Sequence, residues 1–121
     1  MEYLYYVVLA IFVFFLLRGF LPTKGVNNIS TTELKTELKN KDKQFIDVRT
    51  PGEFKGNHIK GFKNIPLNQL AHKAASDISK EQEVLVICQS GMRSKQASKL
   101  LKKYGCAKVT NVRGGMNAWQ N

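Results

Sequence analysis

Cys88 ends a run of four branched apolar residues, Val84-Leu85-Val86-Ile87, and opens the turn Gln89-Ser90-Gly91-Met92-Arg93, after which a helical pattern begins. The run reads as a buried strand, so the chain delivers a cysteine into a short turn at a helix N-terminus. Backbone N–H groups in such a turn, together with the positive end of the helix dipole, favour an anion. Gly91 allows the tight bend, and Arg93 adds a fixed positive charge. These residue types in this order suit nucleophilic sulfur chemistry.

The activation such chemistry needs is modest. A free cysteine is only a few per cent ionised at neutral pH, and half-ionisation requires about 2 kcal/mol. A helix terminus supplies about 0.3–1 kcal/mol, whereas each hydrogen bond to a charged group contributes about 1.5–3 kcal/mol. One or two loop amides aimed at sulfur would outweigh the dipole. The competing reading is a buried cysteine serving as a small hydrophobe. The polar turn that ends in arginine weighs against it.

The elements that must position Cys88 alternate between strand and helix signals. Ser30 and Glu33 have the spacing of a capping box, with Ile29 and Leu34 as a hydrophobic staple, so a helix is expected over 31–39. A strand follows over 44–48, then Thr50-Pro51-Gly52 opens a brief helix with proline early. A small strand over 62–65, a helix over 67–75 and a strong strand over 83–87 come next. Beyond the cysteine turn, Ala97, Leu100, Leu101 and Tyr104 keep helical spacing, and Gly105 suits a C-cap. A last strand over 108–112 precedes Gly114-Gly115 and a terminal turn carrying Trp119. Such alternation implies an α/β fold with a mainly parallel sheet covered on both faces. Reactive groups in such sheets cluster beyond the carboxyl ends of strands, where Cys88 falls.

The 121 residues allow one compact domain and an appendage. Residues 3–17 carry no charge and are dense in Val, Leu, Ile and Phe. They would cover about 22 Å as a helix, and extension to residue 21 gives about 28 Å if Arg18 snorkels, against a bilayer core of about 30 Å. Residues 1–21 are therefore expected to form one N-terminal transmembrane anchor, residues 22–25 a linker, and residues 26–121 the domain. A cleaved signal peptide fits less well, because Glu2 precedes the apolar run and no small-residue cleavage site follows it. Arg18 and Lys24 flank the run on its C-terminal side only, which places a single-pass chain in the cell membrane with its domain facing the cytoplasm.

The net charge of +10 lies almost wholly in the domain and suits an anionic leaflet. The lysines are dispersed, without interleaved aromatics, so nucleic acid is not an expected partner. A reducing cytoplasm argues against a bridge between Cys88 and Cys106, and Cys106 reads as a small buried residue rather than a resolving thiol.

Together these motifs resemble a single rhodanese domain. The likeness runs over about residues 26–120. It rests on Asp47-Val48-Arg49 with Pro51-Gly52-Glu53-Phe54, His58-Ile59-Lys60-Gly61 with Asn64-Ile65-Pro66, the cysteine turn, and Gly114-Gly115-Met116-Asn117-Ala118-Trp119. The family usually has Gly directly before His-Ile and Ala at the position of Phe62; here Asn57 separates Gly56 from His58. The resemblance implies a rhodanese-like five-stranded sheet and sulfurtransferase activity. Cys88 would be the catalytic nucleophile, receiving sulfur from thiosulfate or a small-molecule or protein persulfide and passing it to a thiol acceptor. Gln89, Ser90, Gly91, Met92, Arg93 and Ser94 would bind the transferred sulfur through their amides. Asp47 and Arg49 would support the fold around the site.

Arg93 is either an anion receptor or a structural ion-pair partner, and Arg49 is expected to pair with Glu53. His58 reads as structural, His72 as solvated and Trp119 as core. No metal or organic cofactor is expected, since the histidines have no ligand spacing. Two other readings stay open. One is a membrane-tethered recognition or sulfur-relay module. The other is a phosphatase or arsenate reductase relative, although only four residues separate Cys88 from Arg93 where phosphatase loops hold five. Oligomeric state is not set by the sequence.

Overall fold

The computed structural model describes residues 2–20 and 25–120, with the backbone alone at residues 18–20. Six helices and five strands occur among them: α1 (Glu2–Phe20), β1 (Val26–Ile29), α2 (Thr31–Glu37), β2 (Gln44–Asp47), α3 (Pro51–Gly56), β3 (Lys63–Asn64), α4 (Leu67–Asp77), β4 (Val84–Ile87), α5 (Met92–Tyr104), β5 (Val109–Val112) and α6 (Gly115–Ala118). The strands form one sheet in the order β1-β5-β4-β2-β3, and every pairing is parallel. The five-stranded parallel α/β architecture expected from the sequence is therefore present.

The central strand shows how a continuous apolar run serves two layers. Successive strand side chains point to opposite faces. Val84, Val86 and Cys88 join a cluster with Leu70 and Ala74 of α4 and Ala97 and Leu101 of α5. Leu85 and Ile87 join the other cluster, with Leu34 of α2, Phe62 and Met116 of α6. All four residues of β4 are buried, so no polar face exists to betray a solvated side.

Two capping boxes start helices. Ser30 Oγ accepts from the Glu33 N–H while Glu33 turns back on the Ser30 N–H. Thr50 and Glu53 repeat the arrangement at α3, with Pro51 in the first turn. Gly105 closes α5 at φ +114°, a conformation that a side chain would strain.

Strand β1 was not read from the sequence. Val26-Asn27-Asn28-Ile29 has two central asparagines of low strand propensity, and its order comes from register with Val109–Val112 at the sheet edge. Strand β3 is shorter than expected, two residues instead of four.

The N-terminal expectation needs correction. Helix α1 forms, and its apolar side chains from residue 3 to residue 17 are exposed all round. Among the described residues, however, no helix is long and apolar enough to cross a membrane. The uncharged part is about 22 Å long at 1.5 Å per residue, short of the hydrocarbon thickness of about 30 Å. The transmembrane anchor over 1–21 is thus unsupported. Lys24, most of the 22–25 linker and the side chain of Arg18 lie outside the described residues.

Candidate functional site

Strand β4 ends at Ile87, and Cys88 follows at the carboxyl edge of the sheet, completely buried. Its Sγ accepts a hydrogen bond from the Gly91 N–H at 2.9 Å. Its thiol donates to Ser94 Oγ at 3.4 Å, and the Ser94 hydroxyl donates to the Gly91 carbonyl at 3.1 Å. The cysteine is therefore buried as a core residue would be, yet its sulfur meets a backbone amide and a buried hydroxyl. Gly91, at φ +106°, makes the bend before α5.

The turn is also held from outside. The N–H of Met116 donates to the Cys88 carbonyl at 2.8 Å, and the N–H of Asn117 donates to the Gln89 carbonyl at 2.9 Å. The Gln89 side-chain amide donates to Asn117 Oδ1 at 2.6 Å. Helix α6 can come this close because residue 115 is glycine. An added Cβ there would lie 2.2 Å from the Cys88 oxygen, and φ at Gly115 is +57°. The carbonyls of Cys88 and Gln89 are thus held toward α6, while the Gly91 N–H meets Sγ.

Asp47 and Arg49 form a buried pair beside this turn, 0 and 2% exposed. Two residues apart on an extended segment, they share a side of the chain. Arg49 Nε donates to both Asp47 oxygens at 3.0 Å and Nη2 donates to Oδ2 at 2.8 Å. The remaining Arg49 donors reach the Asn57 carbonyl at 2.6 Å and Gln89 Oε1 at 3.2 Å. The last bond ties the pair directly to the cysteine turn. A buried charge left without its partner typically costs about 3–5 kcal/mol, so the two residues act as a unit.

The expected pairing of Arg49 with Glu53 is not formed. Glu53 bonds Arg93 instead, Nη1 to Oε1 at 2.6 Å and Nη2 to Oε2 at 2.9 Å. The reason is local: Asp47, Asn57 and Gln89 together take up the Arg49 donors, while the capping box bends Glu53 back over the start of α3, toward the cysteine turn. Of the two alternatives for Arg93, the ion-pair partner is the one observed.

Among the other expected positions, Ser90 and Met92 are exposed at the tip of the turn and Ser94 is buried beneath it. His58 stacks on Phe54 with ring centroids 3.9 Å apart and hydrogen-bonds the Phe54 carbonyl through Nδ1, as a structural residue does. His72 is exposed, and Trp119 is half-buried against the α2 side of the sheet. Cys106 is buried, and burial pushes its thiol above the ordinary range. Among the described residues no group of three His, Cys, Asp or Glu could hold a metal ion.

Two contributors escaped the sequence reading. The spacing Thr50-x-x-Glu53 matches the capping pattern recognised at Ser30, and would have shown that Glu53 was engaged locally. The clamp by Gly115, Met116 and Asn117 is made mainly by backbone groups, with one side-chain bond from Gln89 to Asn117, and only the paired glycines hinted at it.

A parallel α/β domain that presents a buried cysteine in a six-residue turn at the carboxyl edge of its sheet defines a class, and comparison with known proteins identifies it. The profile of the Rhodanese-like domain family matches residues 30–121, and the chain belongs to that family. A sulfurtransferase of Allochromatium vinosum is 35% identical over 95 residues, covering 78% of this chain and 88% of that one. The protein YqhL of Bacillus subtilis is 33% identical over 113 residues, 93% of this chain and 88% of its own length. In three dimensions, a rhodanese-like domain protein from Staphylococcus aureus superposes with a TM-score of 0.72 at 33% identity, over 78% of this chain and 92% of that one. The chain is a single rhodanese-like domain with sulfurtransferase homologues, which supports a general role in sulfur transfer.

Two outcomes follow from this geometry. Gly115→Ala is expected to lower unfolding stability by roughly 1–3 kcal/mol through a left-handed φ and the contact with the Cys88 carbonyl; parent-like chemical denaturation would show that the clamp yields freely. The second concerns pH. The two Arg93 bonds and then the Thr50 N–H hold the Glu53 carboxyl at about 2, down from 4.5. A carboxyl lowered on folding contributes stability that is complete above its unfolded value and lost as pH falls through its folded one. The stability difference between wild type and Glu53→Gln should therefore be full above pH 4.5 and close toward pH 2. Denaturant titrations across that range check it, and a gap that does not change with pH would contradict it. The pair is about one-third exposed, so the effect should be modest.

Proposed function

We propose that this domain is a sulfurtransferase that carries sulfane sulfur as a persulfide on Cys88. The observation that carries the reading is the Gly91 N–H directed at Sγ from a turn whose first two carbonyls, of Cys88 and Gln89, are bonded to α6. In the first half-reaction, ionised Cys88 attacks the outer sulfur of thiosulfate or of a small-molecule or protein persulfide. A bond forms between Sγ and that sulfur while the donor's S–S bond breaks, and sulfite or a thiolate leaves with the electron pair. In the second, a thiolate acceptor attacks the terminal sulfur, forms the product persulfide and returns Cys88 to its starting state. No external oxidant or reductant is needed.

The turn residues divide the work. The amides of Gln89, Ser90, Gly91, Met92, Arg93 and Ser94 line the position of the terminal sulfur, where dipoles stabilise its charge. Ser94 can rotate its hydroxyl from the Gly91 carbonyl to Sγ when the thiol proton is gone. Asp47 and Arg49 support the turn through Gln89.

Intact-mass measurement tests this reading. Incubation with thiosulfate or an organic sulfane-sulfur donor should add one sulfur atom to Cys88, and Cys88→Ser should abolish the gain. A wild-type protein that gains no sulfur from any such donor would favour a recognition module, and release of phosphate from a phenyl phosphate would favour a phosphatase.

The proposed location is the cytoplasmic face of the cell membrane, with α1 as the attachment. Support comes from the helix itself. Between residues 3 and 17 it has no charged face to lie against water, and an all-round apolar helix is stable where hydrocarbon or protein surrounds it. The basic domain then faces an anionic leaflet. The full chain should pellet with membranes, stay there through a high-salt wash and leave with detergent. Recovery in the soluble fraction would contradict the attachment.

A further inference from the structure

The arginine of the cysteine turn is not available to an anion as a net charge. Arg93 is engaged end-on by Glu53 through two hydrogen bonds. Glu53 is itself locked, because its Oε1 also accepts from the Thr50 N–H at 3.0 Å and the Thr50 hydroxyl at 3.1 Å. The carboxylate cannot swing away without undoing the start of α3. Arg93 also borders an open groove of about 380 Å³, whose remaining wall includes Val48, Pro51, Pro66 and Leu67. A neutralised arginine beside an apolar wall is a poor receptor for a small dianion. It suits an organic body bearing little charge.

We infer that Glu53 sets donor specificity: by cancelling Arg93 it disfavours the thiosulfate dianion and favours an organic sulfane-sulfur donor of at most one negative charge, whose carbon body rests in the groove. The inference rests on the proposed sulfur-transfer function and names the substrate class for it. For a monoanionic thiosulfonate the chemistry balances as before. Cys88 Sγ bonds to the outer sulfur, the donor S–S bond breaks, and an organic sulfinate leaves with the electron pair. Arg93 ends the turn that Cys88 opens and also borders the groove, so it joins the two.

The test compares two donors, thiosulfate and benzenethiosulfonate, on the full-length protein. The readout is the ratio of their kcat/KM values, with thiosulfate in the numerator. Glu53→Gln keeps acceptors for the Thr50 groups but removes the charge. One unit charge near a dianion rather than a monoanion, in a partly exposed site, should raise the ratio roughly three- to tenfold. Arg93→Gln leaves Glu53 uncompensated and should move the ratio the opposite way. Equal ratios in the three proteins, with sulfur still transferred, would overturn this inference and leave the sulfurtransferase reading standing. A wild-type protein that accepts sulfur from neither donor would overturn both. Because each variant is judged on a ratio of two donors, a general loss of folded protein does not imitate the expected change.

Discussion

The site depends on which way one short stretch of backbone faces. Cys88 and Gln89 turn their carbonyls toward α6, where Met116 and Asn117 receive them, while the Gly91 N–H meets the sulfur. A backbone polar group buried without a partner is costly, so the orientation is held by bonds on both sides rather than by shape alone. Gly115 is the condition for it, since any side chain there would occupy the space of the Cys88 carbonyl. The reactive sulfur and a helix that begins 27 residues later in the chain are in this sense one unit.

Charge in the site follows a consistent plan. Two arginines approach the turn, and each is matched by a carboxylate: Arg49 by Asp47 in the interior, Arg93 by Glu53 at the rim. The buried pair gains little from mutual attraction after its desolvation, but its further bonds to Asn57 and Gln89 fix the loop geometry. What remains for an anionic sulfur is the field of the backbone amides and the start of α5. Such dipoles are fixed in place before a substrate arrives, so they need not reorganise when charge develops. The domain is strongly basic in sum, yet both arginines at the turn are matched by carboxylates.

Much of this was readable from the residues. The β4 run, the cysteine turn, the Ser30 capping box and the Gly105 cap all rest on local chemistry, and local chemistry is what a sequence displays. Strand β1 was hidden because its asparagines have no preference for a strand, and only pairing with β5 imposes one. The partner of Arg49 was misassigned for a related reason. Asp47 and Glu53 are both close in sequence, and only the capping box at Thr50 decides between them. The α6 clamp left little side-chain signature, being made mainly of N–H and carbonyl groups with one bond between Gln89 and Asn117. The N-terminal apolar run reached a marginal span only by extension through Arg18 to residue 21, and among the described residues no helix is long and apolar enough to cross a membrane.

The account stands or falls on where a transferred sulfur would sit. A crystal structure of the chain carrying a persulfide on Cys88 addresses this most directly. The terminal sulfur is expected inside the turn, within hydrogen-bonding distance of backbone N–H groups, with Met116 and Asn117 still bonded to the carbonyls of Cys88 and Gln89. A terminal sulfur directed out to solvent, with those amides facing elsewhere, would contradict it.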